Sequence, residues 1–232
     1  AALDPSEFTL NRALQLSNMG DFAESDRLLD AVDAVPTADA VQLRLRRNFR
    51  AMHALNQQDF DGALALLAQP LVPIAPISAT IGSDVAISAP LARAINSDAG
   101  ARVLNQSGDD ERLTTQERAI ILDAQALQLT GTILRLTGDN AGARIALVRS
   151  INQALAVRDG RVISIIRLRA QMIGEIGLLD EAEGRTGEAE GRLQAAIQLL
   201  ETEYPETMAL AGARAKYAAF LTRHDRTDDA VS

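Results

Sequence analysis

Apolar residues recur along this chain at the three- and four-residue spacing of a helix face, and short polar turns interrupt them. Asp4-Pro5-Ser6-Glu7 reads as a helix start, with a capping aspartate, proline at the first helical position and Glu7 closing a capping box. Phe8, Leu10, Ala13, Leu14 and Leu16 then recur up to Met19-Gly20-Asp21. Phe22, Leu28, Leu29, Val32 and Val35 carry a second helix to Pro36, and Gly20 supplies the tight turn between the two. Thr37 opens a longer helix through Val41, Leu45, Phe49, Met52 and Leu55. Asn56-Gln57-Gln58-Asp59 turns it, and Phe60, Ala63, Leu64 and Leu67 continue to Pro70.

The pattern then fails. Pro70, Pro73, Pro76 and Gly82 predict loop or extended chain over residues 70–84. Residues 88–106 have the apolar content of one or two short helices, with a disordered linker as the alternative. Thr114-Thr115-Gln116-Glu117 is a capping box that restarts the helical pattern. One helix runs to a turn at Gly138-Asp139, and its partner carries Ala143, Leu147, Ile151 and Leu155. A long helix follows to Gly184, then a helix with Leu193 and Ile197, then one from Pro205 to Leu221.

The turns at Gly20, Gln58, Gly138, Gly184 and Asp225 lie 38, 80, 46 and 41 positions apart. A period of about 40 with two helices per unit is the signature of an α-solenoid. Each hairpin buries too little surface to fold alone, and stacked neighbours complete its core. The interval of 80 predicts that the irregular stretch is one decayed repeat. The expected architecture is all-α, a single domain of repeats over 5–36, 38–70, 114–159 and 160–204, with an insert at 71–113 and a truncated unit at 205–232. Tyr217, Phe220 and Leu221 would be left partly uncovered, and Ala230-Val231-Ser232 stands where a second helix would begin, so the chain is expected to continue beyond it.

Composition narrows the partners. Aromatics make up only 3%, so the core must be built from Leu, Ile, Val and Ala, which suits closely packed helices. A net charge of −8 and no tryptophan make nucleic acid and anionic membrane poor partners. No apolar run reaches the ~18 residues of a membrane helix. Without cysteine there is no disulfide, thiol chemistry or thiolate metal site. The compartment stays open between cytoplasmic and exported or periplasmic, and the small residues Ala1-Ala2 lean toward export.

Candidate chemistry is sparse. His53 and His224 lie far apart, neither with a second histidine at metal spacing, so both read as packing or surface residues. Asp109-Asp110-Glu111 lacks the alternating ligands of a calcium loop. Glu181, Glu183, Asp228 and Asp229 sit by turns, where carboxylates favour a helix start. Gly184, Gly187 and Gly191 read as turn and helix-packing glycines. Asn105-Gln106-Ser107 matches a glycosylation acceptor. No phosphate loop, nucleophile elbow or dinucleotide fingerprint is present, so neither enzyme activity nor a cofactor is expected.

The repeats resemble tetratricopeptide repeats, specifically the long variety found in kinesin light chains. The resemblance rests on first-helix small residues Ala13, Ala51, Gly131, Gly177 and Ala218, on the five turns, and on second-helix small residues Ser25, Ala63, Ala143, Ala189 and Ala230. The family's aromatic positions are mostly Leu, Ile or Ala here, and the turns at Gln58 and Asp225 lack glycine. The resemblance implies a right-handed superhelix of antiparallel hairpins acting as a protein-interaction scaffold. First helices would line its concave face, presenting Asn48, Met52, Gln125, Gln128, Thr132, Arg135, Gln171 and Glu175, with Lys216 and Arg223 further along. This amide-rich set suits an extended peptide or a segment of a neighbouring domain, with Arg135 holding an acidic side chain. Similar bacterial repeats precede caspase-like peptidase domains, so the alternative is the regulatory part of a larger peptidase or signalling enzyme. A self-assembling scaffold is a third expectation.

Overall fold

A computed structural model describes residues 5–71, 113–157, 163–205 and 207–226. The described residues form nine α-helices and no strand: α1 Pro5–Asn18, α2 Phe22–Asp33, α3 Ala40–Asn56, α4 Phe60–Leu67, α5 Thr115–Leu136, α6 Asn140–Ala154, α7 Ile163–Ala182, α8 Thr186–Glu203 and α9 Met208–Arg223. The protein is all-α.

One turn is used five times. The backbone is left-handed at Gly20, Gln58, Gly138, Gly184 and Asp225, with φ of 84°, 62°, 88°, 79° and 57°. In each case the next residue's N–H donates to the carbonyl five positions back, at 2.8–2.9 Å, while the left-handed residue donates to the carbonyl three positions back. This is the Schellman close of a helix, which satisfies carbonyls that the helix end would leave orphaned. Glycine takes the conformation without strain at three of the five positions, while Gln58 and Asp225 adopt it against the cost a Cβ imposes. Asp21, Asp59 and Asp139 then cap the following helix by accepting from the N–H of Glu24, Gly62 and Gly142.

Small residues set how closely each pair of helices meets. Ala13, Ala51, Ser25, Ala63, Ala143 and Ala189 are buried, as are Gly131 and Gly177. A Cβ on Gly131 would come 2.6 Å from Leu147 Cγ and 3.1 Å from the Ala143 carbonyl. On Gly177 it would meet the Ala189 carbonyl and Leu193 Cγ, both at 3.2 Å. The two seams have the same construction, a first-helix glycine seated on a second-helix alanine and on the leucine one turn later. Ala218, at the corresponding place on α9, is only partly buried.

α1 packs on α2, α3 on α4, α5 on α6 and α7 on α8. Each of α1, α3, α5 and α7 also touches the next odd-numbered helix, and each even-numbered helix lies against the odd one that follows. The core is correspondingly continuous. Leu10, Leu29, Val41 and Leu45 cluster with Ala119 and Leu122 of α5, while Ile121, Leu147, Leu168, Met172 and Leu179 fill the layer between α5, α6 and α7.

Several sequence expectations need correction. α3 and α4 rest directly on α5; the expected decayed repeat falls on residues 72–112, which lie outside the described residues. α3 begins at Ala40 rather than Thr37. Asp39 accepts from the N–H of Val41 and Gln42, and the Thr37 hydroxyl accepts from Asp39 N–H. α9 begins at Met208 rather than Pro205, because Thr207 caps it. α2 and α4 stop short of Pro36 and Pro70. Gly187 and Gly191 are exposed with open space where a Cβ would stand, so they are not packing glycines. The Thr114/Glu117 capping box is present as read. Asp4, Asn105-Gln106-Ser107, Asp109-Asp110-Glu111, Asp228, Asp229 and Ala230 lie outside the described residues.

Candidate functional site

A period of about 40 places residues one repeat apart side by side on neighbouring first helices. Glu175, near the middle of α7, has Arg135 of α5 on one side and Lys216 of α9 on the other. Arg135 Nε donates to its Oε2 at 2.8 Å, and Lys216 Nζ donates to its Oε1 at 2.6 Å. Glu175 is only 3% exposed. Burial pushes its carboxyl up, but the Lys216 and Arg135 charges outweigh burial and hold it below the ordinary carboxylate range. The trio carries a net positive charge and joins three helices.

The other expected site residues differ in what they leave available. Asn48 is buried, donating to the Leu122 carbonyl at 2.8 Å and accepting from Arg47 Nε. Asn48 and Glu175 therefore present no free group, and Arg135 is already engaged. Gln128 donates to the Thr132 hydroxyl at 2.9 Å, both half-buried on α5. Met52 and Gln125 are half-buried, and Gln171 is exposed and makes no hydrogen bond among the described residues. Arg223 donates to Glu181 through two nitrogens, and His224 approaches the same carboxylate at 3.1 Å.

Beside the trio, α7, α8 and α9 enclose an open groove of about 190 Å³. Ala170, Gln171 and Gly174 form the α7 wall, Leu193, Ala196 and Leu200 the floor, and Met208, Ala209, Gly212, Ala213 and Lys216 the α9 wall. Sequence reasoning found Gln171 and Lys216 but missed the rest of the α9 wall. The available signal was small residues at 209, 212 and 213, the spacing of one helix face.

A second polar centre was also missed. Asp180 supplies the carbonyl that closes the Gly184 turn, a place held by Leu16, Ala54, Leu134 and Leu221 in the other four. Its side chain is 1% exposed and receives Arg144 of α6 at 2.8 Å, together with Arg185 and Arg192. Burial pushes the carboxyl up, but hydrogen bonds from Arg185, Arg144 and Arg192 lower it from 3.8 to about 2. Glu183 shares Arg144 and Arg185.

His53 joins α1, α2 and α3. Its Nδ1 lies 2.9 Å from Ser17 Oγ and 3.1 Å from Ser25 Oγ, and its Nε2 3.1 Å from Asp26 Oδ1. The residue types are those of a hydrolase triad, but both hydroxyls are closed off from solvent, so the cluster ties helices together rather than offering a nucleophile. Among the described residues no group of three His, Asp or Glu side chains is placed to hold a metal ion, and no helix is long and apolar enough to cross a membrane. No protein-family model and no curated protein matches the chain, so its role is argued from this geometry.

Proposed function

We propose that the chain is a tetratricopeptide-like α-solenoid of antiparallel hairpins serving as a protein-interaction module without catalysis of its own. Its occupant is an extended peptide or a segment of a neighbouring domain, taken along the face of α3, α5, α7 and α9. The observation that carries this reading is the repeated turn: five helices close with a left-handed residue at the same place and the same hydrogen bonds, and successive first helices touch. Solenoids built this way expose an extended surface along their first helices. Gln125, Gln128, Thr132 and Gln171 give that surface amide and hydroxyl groups, which pair with a peptide backbone as donor and acceptor at once.

A peptide array probed with the purified chain tests the proposal. Wild type is expected to retain a subset of peptides, and Gln125→Ala/Gln128→Ala to weaken most of them with the fold intact by circular dichroism. If no peptide binds more tightly than about 1 mM, the interaction reading fails.

A further inference from the structure

We infer that the α7–α8–α9 groove is a side-chain pocket for a peptide carrying an aliphatic residue flanked by acidic ones, an inference that rests on the interaction reading above. The volume argues for a side chain: about 190 Å³ is below the roughly 300–1,000 Å³ of small-molecule sites. The lining argues for an aliphatic one. Ala170, Gly174, Ala209, Gly212 and Ala213 leave room that larger residues would fill, and the floor is leucine and alanine. Met208, 87% exposed at the mouth, offers an adaptable apolar edge.

The rim argues for acidic neighbours. Lys216 gives Glu175 one of its three donors, and its side chain remains 37% exposed. Gln171 stands beside it with an unused amide. Arg167, one helical turn before Gln171 on the same face of α7, is exposed and has no acidic partner among the described residues. In a chain of net charge −8, cations beside an apolar groove set its preference for an acidic ligand against the repulsion of the rest of the surface.

The test uses labelled hexapeptides with Leu, Ile, Val or Met at the centre and Asp or Glu on both sides, and a matched set with Lys in place of the acids. The acidic set should bind and the lysine set should not. Gly212→Leu should weaken binding by at least about tenfold with no loss of melting temperature, since a Cβ at Gly212 meets nothing within 4 Å. Arg167→Gln should weaken it by roughly two- to fivefold. Lys216 is the only lysine, so its reductive methylation, read by mass spectrometry against the N-terminal amine, should slow when an acidic peptide is bound. Equal binding of both sets, indifference to Gly212→Leu, or unchanged Lys216 labelling overturns the inference. Should other array peptides still bind in a manner sensitive to Gln125→Ala/Gln128→Ala, the interaction reading survives and the groove assignment alone fails.

Discussion

In the α5–α6 pair the turn at Gly138 is followed by the capping Asp139, and the carbonyl that closes it belongs to Leu134; in the α7–α8 pair the same places hold Arg185 and Asp180. The backbones are alike, with φ of 88° and 79° and closing hydrogen bonds of 2.8 Å in both. Only the first pair has a side-chain cap. The second trades an apolar residue and a cap for a buried carboxylate with three guanidiniums, one of them reaching back from α6. The hairpin is therefore set by what the two pairs share, a left-handed turn and a glycine seated on an alanine. The chemistry around the turn is free to change, provided that a buried charge brings its partners.

The largest test of that claim strikes the shared seam. Gly131→Leu forces atoms where even a Cβ is too close to Leu147, and should cost about 3 kcal/mol, lowering the melt by roughly 5–10 °C. The seams also differ in tightness. Gly131→Ala should destabilise in urea, whereas Gly177→Ala should be near neutral, because contacts of 3.2 Å yield slightly and alanine gains about 1 kcal/mol of helix propensity. If both alanine variants behave alike, the two seams are not distinguished as described.

The next test strikes the difference. Asp180 is depressed to about 2, so its contribution is present above the ordinary value of 3.8 and is lost as pH falls through about 2. Wild type should lose about 2 kcal/mol more than Asp180→Asn between pH 4 and pH 2. Parallel pH profiles would show that the three arginines do not hold the carboxylate. Asp139→Ala, acting on the first pair alone, should cost about 1 kcal/mol by chemical denaturation.

The smallest effect concerns the turn that lacks glycine. Gln58 pays for its left-handed backbone, so Gln58→Gly should stabilise by about 0.5 kcal/mol. A destabilised variant would mean that Gln58 holds the turn by side-chain contacts instead.

These contrasts explain what was legible in the sequence. The turns were readable because glycine and aspartate carry local backbone preferences, and spacing placed Gln58 and Asp225 where composition alone would not. The seams were readable because a small residue must stand wherever two helices approach closely. The start of α3 was misread because Thr37 and Asp39 both cap well, and only the fold shows Thr37 serving Asp39. The site was less legible. Sequence spacing puts Arg135, Glu175 and Lys216 on one face, but it does not tell that they satisfy one another, nor that Asn48 turns into the α3–α5 seam. Asp180 gave no signal of its own, because Arg144 reaches it from another helix and Arg192 from a turn further along α8. The groove depended on helix α9 presenting small residues to α7, a relation between elements rather than a property of either.

The central claim is that α3 sits directly on α5, although residues 68–114 separate α4 from α5 in sequence. Arg47 Nη2 lies 3.0 Å from Asp123 Oδ1 and Arg44 Nε 2.9 Å from Asp123 Oδ2 across that seam, with both arginine side chains buried and Asp123 half-buried. A cycle of the paired Arg44→Ala/Arg47→Ala change against Asp123→Ala, read by urea denaturation, measures the contact directly. The stack predicts a coupling of about 1 kcal/mol. A coupling indistinguishable from zero would place the two helices apart, as a helix pair standing between them would, and would contradict the account.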